Sequence, residues 1–458
     1  MARVHLVVTN ANLLTLAEGQ PDALFGWMSI DDDGKILAIG ENDPPEASTV
    51  LDVNGAFVAP GFISSHSHLF TSGSRGLSPE DSLYGWIQGM TYYTKATTAQ
   101  DIYWCTLHGS LDFINYGITT AYDFTSSRLS FHASSSAKGS YGGTLKPQDF
   151  SDAQFLAKRD SGMRFFHSVP LDDSVGDAEE VLKRVANAVE LFDRYREEPT
   201  VLGVAISGGV QWAESEKTAA LELEAMRTFN IINQPHFLET PHGIAGQQER
   251  FSWYRDVGAL SPSLIFGHFI HTTKEMVQEA AQHGCSMSWQ PTSNARLASG
   301  IADIPGYLEA GLKVGMGLDD QSCTDLSDPW QNMRMGLYML RAQRLDASVL
   351  GVREVLRLHT MGSAEILGID HLVGSLSPGK FADFVVVDPS SPDIGPIWNP
   401  IASYVLACGP RNLTQVWIGG KLVSSRGSST NTKLQDQASF ELHTRLGAIA
   451  QTLKKDET

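Results

Sequence analysis

Residues 55–70 read GAFVAPGFISSHSHLF. An apolar run climbs to two imidazoles, His66 and His68, and gives way at once to Leu69 and Phe70. Alternate residues of a strand point to the same side. A strand ending here therefore sends both rings toward one point, close enough to share an ion.

Seven further apolar segments follow: GITTAYDF, MRFFHSVP, LGVAISGG, INQPHFLET, LIFGHF, GCSMSWQP and LKVGMGLDD. Between them, residues 177–195 (DAEEVLKRVANAVELFDRY) and 216–231 (EKTAALELEAMRTFNI) space their apolar positions as helices do, and 273–284 (TKEMVQEAAQHG) closes on a C-cap glycine. Eight βα units over roughly 310 residues predict an α/β fold, a (β/α)8 TIM barrel placed at residues 60–372. A doubly wound sheet is the rival. It is weakened because polar, metal-competent residues close so many different strands, and only a barrel brings those ends to one mouth.

The chain ends read differently. VHLVVTN, GWMSID, KILAIG and AFVAP in residues 1–59, with Asp33-Gly34 as a hairpin turn, are strand-like, as are FADFVVVD, YVLACG and LTQVWIGGKLVSS in 373–430. Neither block buries much surface alone, so the two are expected to form one composite β-sandwich. Residues 431–458 are expected to form a helical tail. The segment from about 70 to 100 is expected to be a long aromatic loop beside the site, with Trp86, Tyr92 and Tyr93.

With 52 acidic and 34 basic residues the net charge is -18. That disfavours a nucleic-acid partner. No run of eighteen apolar residues offers a membrane span. No leader pattern opens the chain. Four scattered cysteines (Cys105, Cys285, Cys323, Cys408) match no metal motif and read as reduced thiols of a cytoplasmic protein.

The later strand ends carry more chemistry. His236 closes the fifth segment, and Glu239, three residues on, suits proton transfer. His268 closes the sixth, whereas His271 reads as the start of the next helix. Asp319 ends the eighth and adds a hard oxygen to the imidazoles, a donor set for zinc and also for iron, cobalt or manganese. Asp320 beside it either reads a substrate cation or faces solvent.

These motifs, with QPTSNARLASG and GSLSPGKFADFVVVD, resemble the amidohydrolase superfamily, in the branch of cyclic-amine deaminases and triazine hydrolases. The resemblance spans nearly the whole chain. It implies a barrel with a composite β-sandwich, a homodimer or larger homo-oligomer, and one divalent metal per chain, zinc before Fe2+, Co2+ or Mn2+. The ligands would be His66, His68, His236 and Asp319. Glu239 would shuttle protons, His268 would orient the attacking water, and Asn294 would shape a loop near the mouth. The fourth segment lacks the lysine or glutamate that bridges two ions in binuclear members. Leu318, Asp320 and Phe269 depart from the usual pattern and alter the lining of the site.

Water activated by the metal would attack an electron-poor ring carbon of a small molecule, expelling ammonia from an aminated N-heterocycle. The same machinery suits an amide, a carbamate, another C–N or C–Cl bond, or a non-hydrolytic Lewis-acid reaction. A non-catalytic binding protein would have lost a ligand or the proton shuttle, and none is lost. Trp86, Gln211, Trp212 and Asp320 are the first candidates for substrate contact. Phe70, Arg75, Phe124, His132, His167 and Trp330 come behind them.

Overall fold

The computed structural model describes residues 4–134 and 138–456. The side chains of residues 91–93, 131–134, 138–141 and 452–456 fall outside the description, and with them Tyr92, Tyr93 and His132. The described chain forms two compact units. One is drawn from residues 1–65, 111–120 and 327–432, the other from 66–110, 121–326 and 433–458.

The barrel strands are Phe62–His68, Ile118–Phe124, Arg164–Pro170, Val201–Ser207, Ile232–Asn233 with His236–Phe237, Ile265–His268, Ser286–Trp289, and Lys313–Met316 with Asp319–Asp320. The fifth and eighth are each interrupted, at Gln234-Pro235 and at Gly317-Leu318. In both cases the two halves pair to different sides. Ile232–Asn233 lies on the fourth strand and His236–Phe237 on the sixth, while Lys313–Met316 lies on the seventh and Asp319–Asp320 returns to the first, Asp319 opposite Ser67. Counting each interrupted strand once gives the eight positions of a TIM-barrel-like α/β fold.

Intervening helices form where the spacing predicts them. Ala178–Tyr195 begins with a capping box, Asp177 accepting from the Glu180 amide at 3.0 Å and Glu180 accepting from the Asp177 amide at 3.2 Å. Lys274–Gln282 starts behind a Thr273 cap, so His271 precedes the helix; its Nε2 meets the Ser299 carbonyl at 2.7 Å. The segment read as a loop after the first strand is largely helical, with a short turn at Leu69–Ser74 and a helix at Leu83–Thr94. Leu83, Trp86, Ile87 and Met90 of that helix pack with Phe70, Ile102 and Ile449, the last from the helix Thr432–Asp456. Among the described residues no helix is long and apolar enough to cross a membrane.

The other unit holds a nine-stranded sheet built from both ends of the chain. Phe57–Pro60 joins the ends, running parallel to Val4–Leu13 and antiparallel to Phe384–Val387. Its face buries Leu6, Val8, Met28, Ile30, Val58, Phe384 and Val386. YVLACG is no strand. Asn399 caps the Ala402 amide at 2.9 Å, Pro400 opens a helical turn, and residues 403–407 continue it.

Candidate metal centre

Strand ends deliver every titratable group of the site. His66 and His68 lie on one side of the first strand with ring centroids 5.3 Å apart. His68 Nε2 and His236 Nε2 are 3.1 Å apart, and Asp319 Oδ1 lies 3.5 Å from both His66 Nε2 and His68 Nε2. A tetrahedral ion with ligand bonds of 2.0–2.1 Å separates its donor atoms by about 3.4 Å. The observed spacings are those of such a ligand shell. Two groups of donors lie within 4.8 Å of one another, His66–His236–His268–Asp319 and His68–Asp319–Asp320, and they share Asp319. Three imidazoles and a carboxylate are the donor chemistry of a divalent transition ion, so the residues present fit a single metal site.

Hydrogen bonds behind the rings assign different tasks to the histidines. His66 Nδ1 lies 2.5 Å from Gln234 Oε1. That oxygen only accepts, so Nδ1 carries the proton and Nε2 offers its lone pair to the cluster. His268 Nδ1 instead accepts from Asn294 Nδ2 at 2.9 Å. Its Nε2 therefore carries the hydrogen and faces Glu239 Oε1 at 3.6 Å and Asp319 Oδ2 at 3.8 Å. Gln290 Oε1 fixes the His268 backbone by accepting from its amide at 3.0 Å.

The backbone is forced at the same places. Leu238, His268 and Asp319 have φ of 54°, 66° and 65°. Each such non-glycine residue costs on the order of 1–3 kcal/mol and persists only where its surroundings impose it. Two glycines make the slot for His66. A Cβ on Gly317 would lie 2.5 Å from His66 Cβ and 2.7 Å from its backbone nitrogen, and one on Gly267 would lie 2.9 Å from its ring.

Burial drives His68, His236 and His268 toward their neutral, ligand-competent form. It lowers His236 well below its ordinary pKa and takes His68 and His268 down to about 3. Burial also works to raise Asp319, but His66, His268 and His68 outweigh it and hold the carboxyl well below its usual range. Glu239 goes the other way, pushed well up by burial and then by the Asp319 charge.

A cavity of about 530 Å³ opens over these groups. Phe70, Trp86, Phe124, Trp212 and Asp320 line it with His68, His236, Glu239 and Asp319. Phe124 stacks on His68 at 4.8 Å and 17°, and Trp212 tilts against His236 at 5.7 Å. Gln211 lies outside the lining, its Oε1 accepting from the Glu239 amide at 3.4 Å. Arg75, His167 and Trp330 are likewise outside it. His167 points toward Phe155, and Trp330 packs on Phe62. Sequence reasoning missed Gln234, Gln290, Gly267 and Gly317. Their only signal is adjacency to a strand end, as in FGHF and GMGLDD.

Curated relatives align end to end with this chain. The 5-methylthioadenosine/S-adenosylhomocysteine deaminase of Syntrophobacter fumaroxidans is 27% identical over 99% of both chains, and that of Bacillus cereus is 26% identical over 91% of this chain and 93% of the relative. Among solved structures, an adenosine deaminase from Xanthomonas campestris with bound zinc superposes with a TM-score of 0.82 at 19% identity, covering 98% of this chain and 99% of the other. Atrazine chlorohydrolase from Arthrobacter aurescens, complexed with zinc, gives 0.81 at 19%, covering 95% and 100%. Guanine deaminase from C. acetobutylicum gives 0.74 at 17%, covering 91% and 99%. The model of the amidohydrolase family matches residues 57–423, and the chain belongs to that family.

Proposed function

We propose that this protein is a hydrolytic deaminase of an aminated N-heterocycle, with one divalent metal per chain, zinc by preference, held by His66, His68, His236 and Asp319. The observation that carries this reading is Glu239: a buried carboxyl whose pKa burial and the Asp319 charge push well above the ordinary value, on the cavity wall and 3.6 Å from the Nε2 of His268. A carboxyl there can give its proton to a ring nitrogen, then take the proton that the attacking water loses and pass it to the departing amine.

A bound divalent cation would supply the Lewis acidity that makes water a nucleophile near neutrality. The residues do the rest. Asp319 accepts a hydrogen bond from the attacking water, and His268 donates through Nε2 to the oxygen that becomes negative. Glu239 delivers the protons. Gln211 steadies Glu239 through its backbone amide. Trp86 and Trp212 give flat surfaces for a ring, and Asp320 accepts from its N–H edge. A cavity of about 530 Å³ leaves room for substituents beyond the ring, as in the nucleosides for which the curated relatives are named. The four described cysteines are buried free thiols, which supports a cytoplasmic location. A composite domain of 1–59 with 373–430, a barrel at 60–372, a tail at 431–458 and a homo-oligomeric state complete the proposal.

The test is ammonia release by zinc-loaded protein across aminated purines and their nucleosides, pyrimidines, pterins and triazines, with Glu239→Gln as control. Release by the wild type that the variant lacks is expected. No release from any member, with one zinc bound, would sink the deaminase reading.

A further inference from the structure

Lys158, on the helix Asp149–Ser161, is wholly buried, with Nζ 2.6 Å from Asp123 Oδ2. Neither residue lines the cavity, and the proposed chemistry uses neither. A buried ion pair is a poor stability device, since apolar residues of similar volume often serve as well or better. What apolar residues cannot do is accept a hydrogen bond. Asp123 Oδ1 accepts from the Leu69 amide at 2.8 Å.

That amide is well placed to matter. Leu69 follows His68 and opens the short turn Leu69–Ser74, whose first N–H groups need outside acceptors. His68 precedes the turn and makes no side-chain cap bond. Asp123, on the neighbouring strand, supplies the cap instead. It also precedes Phe124, whose ring stacks on His68. One carboxylate thus pins the backbone beside both partners of the stack, and Lys158 balances the buried charge of that carboxylate so that it keeps its place. We infer that the Lys158–Asp123 pair is a positioning device that sets His68 for metal binding through the Leu69 amide. The inference rests on His68 being a ligand, as proposed above.

Two readouts on the full chain separate it from a merely structural role: zinc affinity by competition with a chelator, and amide exchange of the segment 62–70 in metal-free protein. D123V/K158M removes charge and acceptor together, whereas D123N/K158M removes the charge and keeps the acceptor. The first is expected to exchange faster at 62–70 and to bind zinc about tenfold more weakly at unchanged Tm. The second is expected to match the wild type in both. If D123V/K158M does not fold, K158M against D123N/K158M decides: K158M should be weaker and D123N/K158M restored. Wild-type exchange and zinc affinity in D123V/K158M, or in K158M where that is the comparison, would overturn the inference. His68→Ala is the control for the ligand assignment. If it binds zinc like the wild type, that assignment fails, while the exchange data still judge the hydrogen bond to Leu69.

Discussion

The terminal sheet and the barrel mouth obey opposite rules. In the sheet, most buried positions are apolar, Phe57–Pro60 pairs with Phe384–Val387 without a break in register, and Phe384 stacks flat on Trp417 at 5.4 Å and 9°. At the mouth, the buried positions include His66, Glu239, His268, Asp319 and Asp320, two strands are broken, and two of these polar residues, His268 and Asp319, themselves sit at positive φ. The sheet is arranged for stability. The mouth is arranged so that a few polar atoms sit where a cation and a substrate need them, at a cost in backbone strain and desolvation.

Substitutions in the two regions should therefore fail differently. The largest effect is expected at Glu239→Gln, with kcat lower by about 10²–10⁴-fold and zinc content unchanged; steady-state kinetics with metal analysis checks this. Gly317→Ala should come next. Its new Cβ meets the His66 backbone, so zinc affinity should fall by at least about tenfold, measured by chelator competition. Phe384→Ala, in the sheet, should do the reverse, losing about 3–5 kcal/mol in denaturant unfolding with little change in kcat for the protein that remains folded. A Phe384→Ala protein that loses kcat while folded would break the comparison.

A smaller effect tests a buried carboxylate behind the mouth. Glu222 accepts from the Gly209 amide, Asn233 Nδ2 and the Tyr254 hydroxyl, and burial pushes its pKa up to about 7. An acid raised on folding binds its proton more tightly in the native state. Its contribution to stability is full below the unfolded value near 4.5 and is lost as pH rises through about 7. Between pH 5 and 8 the wild type should lose on the order of 1–3 kcal/mol relative to Glu222→Gln, read from urea unfolding across that range. The smallest change is expected at Asp177→Ala, about 1 kcal/mol from a lost helix cap, with no effect on zinc.

The same division explains what the sequence discloses. The barrel strands and the pairing of the two chain ends follow from apolar runs, which are local signals. His66, His68, His236, His268 and Asp319 are legible because each sits where an apolar run stops. Gln234 and Gln290 are not. Their importance lies in a bond to a histidine ring or backbone elsewhere in the chain, such as the 168-residue separation between His66 and Gln234. His167 misleads for a related reason. It lies next to Ser168, whose hydroxyl meets those of Tyr122 and Ser207. Strand alternation sends the imidazole to the other side. YVLACG carries strand-like residues, but Asn399-Pro400 starts a helical turn ahead of it, and the cap outweighs the propensity.

The most direct measurement is to strip the protein of metal and titrate zinc back while following ammonia release from a substrate found in the panel. Activity rising linearly to one zinc per chain, then flat, with His66→Ala showing neither binding nor activity, is the expected result. Activity that persists without metal, or that needs a second equivalent, would contradict a single ion held at these strand ends.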